Sequence, residues 1–460
     1  MVVKSTRHSL HEAVVQDFRM TLRGDLLQPG DAGYDAARSV WNAMIDKKPA
    51  LIARCVGQSD VKASVAFARE QGLEVSVRGG GHNVAGKAVA ENGLMIDLSL
   101  MKGIRVDPIA KTARAEPGVL WQEFDQETQS FGLATTGGTV GTTGIAGLTL
   151  GGGQGWLAGK HGFTVDNLLN VDVVTADGQL LRASATENTD LFWALRGAGA
   201  NFGIATSFEY RVHPLRQVLG GMVIYPAAQA RDVLRFYREF TADVPDEITT
   251  FVALLTSPDG VPVIALVPCY SGDLQEGERV LASLRSFGSP VADTVAPIPY
   301  TAMQALLTAA FPYGRQNYWK SGLTNEISDE AIEVMSEYAA RVPSPFSGIA
   351  IGHFHGAYSR VGKTETAYYH RDMQYDVLML SNWTDPAQNE ANIQWTRDLH
   401  KALRPHLSDR VYVNDLGDDA GEAGIRGAYG GNYQRLSELK AKYDPTNFFH
   451  LNQNIKPATN

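Results

Sequence analysis

Between residues 51 and 214 the chain alternates short apolar runs with amphipathic segments, the spacing expected of strands and helices in βαβ units. LIARCV (51–56) reads as a buried strand. SDVKASVAFAREQG (59–72) carries its apolar residues at helical spacing behind a Ser59/Asp60 N-cap, and EVSVRG (74–79) alternates as the next strand. GLMIDLSLM, IRVDP and TARAEPG continue the strand series, VLWQEFDQETQSFG is an amphipathic helix, and Asp177-Gly178 turns the hairpin VDVVTADGQLLRAS. The helix TENTDLFWALRG and the strand FGIATSFEYRVHP complete this part.

After Pro214 the pattern changes. The long strands EITTFVALLTS and VPVIALVPCYS are joined at Asp259-Gly260, and helices ending near Leu284 and Arg341 follow. SGIAIGHFHGAYS and MQYDVLMLSNW are two further strands before the helix NEANIQWTRDLHKAL, so this region reads as an antiparallel sheet with helices on one face. A last helix, NYQRLSELKAKYDP, is stopped by Asp444-Pro445 and leads into the tail TNFFHLNQNIKP.

Length and charge narrow the function classes. A chain of 460 residues exceeds what one core organises, so two domains, or at most three, are expected. A net charge of -9 argues against a nucleic-acid or anionic-membrane surface and leaves a small-molecule partner as the default. No apolar run approaches a membrane span, and the N-terminal stretch lacks a continuous apolar segment. Cys55 and Cys269, each inside an apolar strand-like run, read as buried free thiols, so a cytoplasmic location is expected.

The 46 glycines are unevenly placed: Gly79 to Gly81, Gly137-Gly138, and GTTGIAGLTLGGGQG from Gly141 to Gly155. Glycine lets backbone N–H groups approach a phosphate and permits positive φ, so these loops are candidates to cradle a pyrophosphate. No GK[ST] follows, which excludes a Walker motif, and GLTLGGGQG lacks both the preceding long strand and the acidic ribose partner of a nicotinamide-dinucleotide site. Any one loop alone also suits a tight turn in a crowded β region. Their concentration favours a large dinucleotide with an extended backbone.

SVRGGGHNVAG, AEPGVLWQEF, TGGTVGTTGIAGLTLGGGQGW, FTVDNLLNVDVVTADG, TDLFWALRGAGANFGIATSFEYRV and YDPTNFFHLNQNIKP follow one another between Ala50 and Pro457. In order and spacing they resemble the berberine-bridge-enzyme-like branch of the vanillyl-alcohol-oxidase flavoproteins. The resemblance implies an α+β fold: a PCMH-type FAD-binding domain of residues 1–216, completed by 417–460, and a substrate-binding domain of residues 217–416 built on an antiparallel sheet covered by helices. It implies FAD held by Arg78, Gly79, Gly80, Gly81, His82 and Asn83, by Thr142, Thr143, Gly144, Gly147 and Gly152, by Gly203 and Ile204, and by Asn452 and Asn454 from the tail. His82 would be bonded to the flavin 8α-methyl; read on its own, it is also a loop histidine able to cap backbone groups. Relatives with a second bond carry a cysteine shortly before the GGG motif. None stands near Val140 to Thr143, so a single covalent bond is expected.

The same family holds substrate against the flavin with the antiparallel sheet. Those strands offer His353 and His355 on one face, and Gln374, Asp376 and Leu378 on another. The histidine pair lacks further ligands, so no metal is expected. Alcohol- and sugar-oxidising relatives use a tyrosine base in YxNY, where this chain has Tyr412-Val413-Asn414-Asp415; their supporting glutamine matches Leu378, and the tyrosine of GGGYG matches Gln154. The candidate catalytic residues are therefore Asp415, Tyr318 and His353, with Tyr433 a further phenol. Asp415 also suits a turn in NDLGDD, and it serves as a base only where burial lifts its pKa.

The pattern is most like the hydroxynicotine-oxidase type, whose amine substrate needs no strong base because the nitrogen lone pair stabilises the cation left by hydride loss. The resemblance thus implies an FAD-dependent oxidase that takes a hydride from a C–H next to N or O of a small organic substrate, with O2 reoxidising the flavin. A dehydrogenase or an oxidative-cyclisation enzyme of secondary metabolism on the same fold is the alternative, Thr143 standing where relatives control oxygen access. A flavin-free scaffold is disfavoured by His82, the glycine loops and the tail asparagines.

Overall fold

The computed structural model describes residues 10–459 and places three main sheets around the glycine loops. In the first, β1 (Asp25–Leu27), β2 (Leu51–Arg54), β3 (Val75–Arg78) and β4 (Leu94–Asp97) lie in the order β1-β2-β4-β3, with β4 parallel to both β2 and β3. β4 is buried throughout, as a parallel strand covered on both faces should be. The helix between β2 and β3 spans Gln58–Gln71 and ends at Gly72, which is left-handed. Its N-cap is Gly57 rather than the Ser59/Asp60 cap expected. Asp60 instead accepts from the backbone N–H groups of Val56, Arg23 and Gly24, so its carboxylate is spent on tying an earlier segment to the helix start.

The second sheet is antiparallel. It comprises β5 (Ile104–Asp107), β6 (Thr112–Ala115), β8 (Leu168–Val174), β9 (Leu180–Ser184) and β10 (Ile204–Arg211) in the order β5-β6-β10-β8-β9. A short pair, β7 (Leu133–Ala134) with β11 (His213–Pro214), lies beside it. Gly178 takes a φ of 81° at the expected β8–β9 turn.

From Gln217 the chain builds a nine-stranded antiparallel sheet: β12 (Gln217–Gly220), β13 (Val223–Pro226), β14 (Ile248–Thr256), β15 (Pro262–Tyr270), β16 (Ala292–Asp293), β17 (Ala296–Pro299), β18 (Gln316–Thr324), β19 (Gly348–His353) and β20 (Tyr375–Trp383). The β14–β15 hairpin turns at Asp259-Gly260, as its alternation and turn residues require. SGIAIGHFHGAYS does not continue as one strand: it leaves the sheet after His353, and the positive φ of Gly356 admits a short helix at Ala357–Arg360.

Side-chain parity divides this sheet between two environments. Ile349, Ile351, Tyr375, Val377 and Met379 pack into a core with the helices Ala230–Thr241, Asp329–Ala339 and Asn389–Leu403. Ala350, Gly352, Asp376, Leu378 and Leu380 face the other way, towards the glycine loops.

The chain then returns, and Val411, Tyr412, Val413 and Leu416 pack into the core beside the five-stranded sheet. The tail is held by a fully buried pair: the Lys440 ammonium donates to Asp444 and to the carbonyls of Asn201 and Phe449, while Asp444 accepts from the N–H groups of Phe448 and Phe449. Three donors and three acceptors make the buried charges tolerable. They also hold Phe449, at the start of the tail, beside Asn201. No helix among the described residues is long and apolar enough to cross a membrane.

Candidate flavin cradle and active site

Two glycine loops touch backbone to backbone. A Cβ on Gly80 would lie 2.5 Å from the Cα of Gly144, and one on Gly144 would lie 2.4 Å from the nitrogen of Gly80. No side chain fits at either position, which is why the sequence carries glycine at both. Gly147, by contrast, faces open space. From this junction two confluent cavities extend, one of about 310 Å³ towards the nine-stranded sheet and one of about 190 Å³ towards the tail, sharing Val77, Gly79, Asn83, Gly147 and Asn414 as walls.

The cleft suits an extended dinucleotide. Nε2 of His82 in the inner cavity and the side-chain carbonyl of Asn452 in the outer one are shielded and have no partner among the described residues. Leaving such atoms unpaired costs about 1–3 kcal/mol each. A ligand rich in donors and acceptors would satisfy them.

Of the residues named for FAD, Gly79, Gly80, Gly81, His82, Asn83, Thr143, Gly144 and Gly147 line the inner cavity, and Gly203, Ile204 and Asn452 line the outer one. Asn452 spends its amide on the carbonyls of Ala200 and Phe449, which frees its own carbonyl. Four expected contacts are placed otherwise. Arg78 turns behind the loop, donating to the Ala37 carbonyl and lying 3.9 Å from Asp97, its register partner on β4, so it props the cradle instead of lining it. Gly152, with φ 130°, is closed off by Tyr368 and Tyr412. Asn454 lines a neighbouring groove with Lys87 and Lys456, and Thr142 stands one residue behind the wall.

His82 sits under the indole of Trp41, with centroids 4.3 Å apart and planes 15° from parallel, and meets the edge of Tyr313 at 6.5 Å. Burial pushes its imidazole down to about 4, so the ring is neutral at ordinary pH.

Across the inner cavity stand two carboxyls, Asp376 on β20 and Asp415 in the 3-10 turn Val413–Asp415. That turn is aimed by Tyr412, whose hydroxyl accepts from the N–H of Gly153 at 2.9 Å and from the Asn414 amide at 2.7 Å; Asn414 also donates to the Leu148 carbonyl. The Gln154 amide donates to Asp376 at 2.9 Å.

Burial is the main force on both carboxyls. It lifts Asp376 to about 6, against the Gln154 amide and the Asp415 hydroxyl, which both stabilise its charge. Asp415 is raised well above the carboxylate range, first by burial and then by the Asp376 charge. Ser321 acts in the opposite sense and lowers it. Like charges in contact do not both ionise, so near neutrality the pair holds one proton and one negative charge. Around it the wall is apolar, with Phe251, Phe311, Trp319, Leu378 and Leu380.

Two of the three expected catalytic side chains are elsewhere. His353 has the parity of Ile349 and Ile351 and points to the helix side, where it stacks on His355 at 4.8 Å and meets Tyr375 at 5.1 Å. Burial pushes it down to about 3, and no group of three metal-ligating side chains occurs among the described residues. Tyr318 leaves β18 on the helix side too, donating to Asp419 at 2.5 Å and accepting from Arg397 at 3.0 Å; its neighbour Trp319 faces the cavity. Tyr433 packs in the core beside the five-stranded sheet under Arg426, and Gln374 is exposed. Of the expected set only Asp415 lines the cavity, and its pairing with Asp376 was not foreseen. The usable signal was Asp376 itself, a carboxyl inside an apolar strand and on the same face as Leu378.

Residues 49–184 match the family model described as FAD binding domain, and residues 411–456 the one described as berberine and berberine like. An FAD-linked oxidoreductase of Dictyostelium discoideum is 32% identical over 97% of this chain and 98% of its own length. (R)-6-hydroxynicotine oxidase of Paenarthrobacter nicotinovorans is 32% identical over 95% of this chain and 98% of its own. The crystal structure of 6-hydroxy-D-nicotine oxidase from Arthrobacter nicotinovorans has a TM-score of 0.86 at 31% identity, covering 95% of this chain and 99% of that one. A chitooligosaccharide oxidase, at 24% identity and a TM-score of 0.86 over 97% of this chain and 100% of its own, shares the fold.

Proposed function

Since this chain belongs to the berberine-bridge-enzyme-like FAD-linked oxidoreductases, and is accordingly an FAD-dependent oxidoreductase, we propose that it is an oxidase taking a hydride from a C–H bond next to nitrogen or oxygen of a small organic substrate. FAD, when bound, supplies the two-electron acceptor. The oxidase names of its relatives support dioxygen as the final acceptor.

The Asp376–Asp415 pair carries this reading. It keeps one negative charge in an apolar wall, and among the described residues no lysine or arginine acts on either carboxyl. Such a charge is suited to a proton on the substrate heteroatom, from an ammonium or a hydroxyl. Loss of that proton frees a lone pair, and the lone pair drives the hydride off the adjacent carbon, so that H–C–X–H becomes C=X with one proton and one hydride released. Asp376 takes the proton, and the protonated Asp415 stabilises the Asp376 charge. Gln154 and the Tyr412–Asn414 contacts hold both carboxyls at the cavity.

The flavin tether in this reading is a single bond through His82, whose ring is neutral and whose Nε2 is unpartnered. Both cysteines are buried in other parts of the fold, where burial raises their thiols, Cys55 to about 12. The test is a panel of amines and alcohols mixed anaerobically with the purified yellow protein, followed by air. Bleaching by a panel member and rapid recovery in air are expected. Reduced flavin that persists through many turnover times in air would make the protein a dehydrogenase.

A further inference from the structure

His82 follows three glycines, one of which, Gly81, is left-handed at φ 67°. Such a loop approaches a ligand closely but gives the imidazole no neighbouring side chain of its own to set its plane. The restraint comes from outside. Trp41 is fully buried, its backbone N–H donates to the Gly81 carbonyl at 3.0 Å, and its indole Nε1 donates to the Phe311 carbonyl at 2.9 Å. Asn42 extends the anchor: its amide donates to the carbonyls of Val84 and Asn317, and its side-chain oxygen accepts from the N–H groups of Met44 and Asn317. The indole plane is thus fixed to the His82 loop on one side and to the nine-stranded sheet on the other.

From the opposite quarter Tyr313 donates to the Gly80 carbonyl at 2.7 Å and turns its ring edge to His82. The imidazole is held between a face and an edge, and its buried Nε2 meets no protein partner.

We propose that Trp41 is the positioning residue for covalent flavin attachment: its stacked indole holds the His82 ring in the plane and place from which the bond to the flavin methyl forms. This deepens the single-tether reading and rests on it. In the step, a C–N bond replaces one methyl C–H and the imidazole N–H. Two protons leave, the two electrons stay on the flavin ring system, and dioxygen takes them up to give hydrogen peroxide. Such a reaction between two bound groups depends on alignment, so a freely turning imidazole would react much more slowly.

The experiment measures, in full-length purified protein, the share of bound flavin that stays with the polypeptide after acid precipitation. The wild type, Trp41→Phe, Trp41→Leu, Trp41→Met and His82→Ala are compared, with total bound FAD and thermal melting recorded for each. Mostly covalent flavin is expected in the wild type and in Trp41→Phe, which keeps a flat face. In the two aliphatic variants FAD is expected to remain bound while its covalent share falls about tenfold or more, an alignment effect of ordinary size. An unchanged covalent share in either aliphatic variant overturns the proposal, and so does failure of both to fold, because Trp41 would then be a packing residue. Wild-type protein without covalent flavin, or His82→Ala with it, would instead overturn the underlying tether.

Discussion

Replacing Gln154 with leucine isolates one hydrogen bond at the proposed proton acceptor. The amide donates to Asp376 at 2.9 Å, and it is one of only two groups that stabilise the Asp376 charge against burial, which otherwise lifts it to about 6. A hydrogen bond to a charged group contributes about 1.5–3 kcal/mol, and the neutral carboxyl retains part of that value. The difference between the two protonation states is then roughly 1.4 kcal/mol, or about one pKa unit. Losing the donor disfavours the carboxylate, so the pKa rises, towards about 7. Because only the carboxylate accepts the substrate proton, the rate of flavin reduction should fall about threefold near pH 6.5 and change little near pH 8.5.

The assay is anaerobic stopped-flow bleaching of the flavin as a function of pH, with one substrate from the amine and alcohol panel. Titration of the substrate is common to both proteins, so the shift between them reports the enzyme. Infrared spectra of the substrate-free protein give a second reading through the carbonyl stretch of the protonated carboxyl. A midpoint that stays where it was, or moves to lower pH, would refute the assignment of Asp376 as the acceptor.

Asp376→Asn is expected to cut flavin reduction by about 10²-fold or more, the usual range for removing a general base. Asp415→Asn, which leaves the Asp376 carboxylate in place, should lose far less, and the reverse order in the same stopped-flow assay would move the base to Asp415. His82→Ala should fold and release its flavin on denaturation, while peptide mass spectrometry of the wild type finds FAD on the His82 peptide and none on those of Cys55 or Cys269. Asp125 lies buried beneath the Gln304 amide, and burial raises it to about 7. A raised carboxyl pKa is a penalty absent below the unfolded value and growing until pH passes the folded one. Asp125→Asn should therefore gain on the order of 2 kcal/mol of stability at pH 8 relative to pH 5, read from urea melts, and equal effects at both pH values would contradict the burial argument.

The glycine loops that line the cleft were legible in the sequence because their requirement is local. Gly80 and Gly144 meet at distances that forbid any Cβ, so the residue type alone carries the information, and hairpins such as Asp259-Gly260 are legible for the same reason. The catalytic wall is a different problem. A strand residue reaches one of two faces by parity, and which face meets the cavity is decided by packing between sheets. Tyr318 and His353 each miss the cavity by one position, beside Trp319 and Gly352, which reach it. Chemistry-bearing side chains attract attention, and that is a poor guide where parity decides. Arg78 shows the same limit: its type suits a phosphate, yet its register opposite Asp97 commits it to the back of the loop. Burial of an unpaired charge is the more reliable signal. Asp376 stands among Tyr375, Val377, Leu378 and Met379, where a carboxyl is expensive unless something answers it. One partner, Asp415, is distant in sequence, and it arrives only because the Tyr412 hydroxyl is anchored on the backbone of Gly153. The glycine loop that lets a cofactor approach therefore also aims the acid opposite it. A change at Gly153, where a Cβ would lie 2.1 Å from Oγ1 of Thr164, should disturb the carboxyl pair through Tyr412 without touching either aspartate.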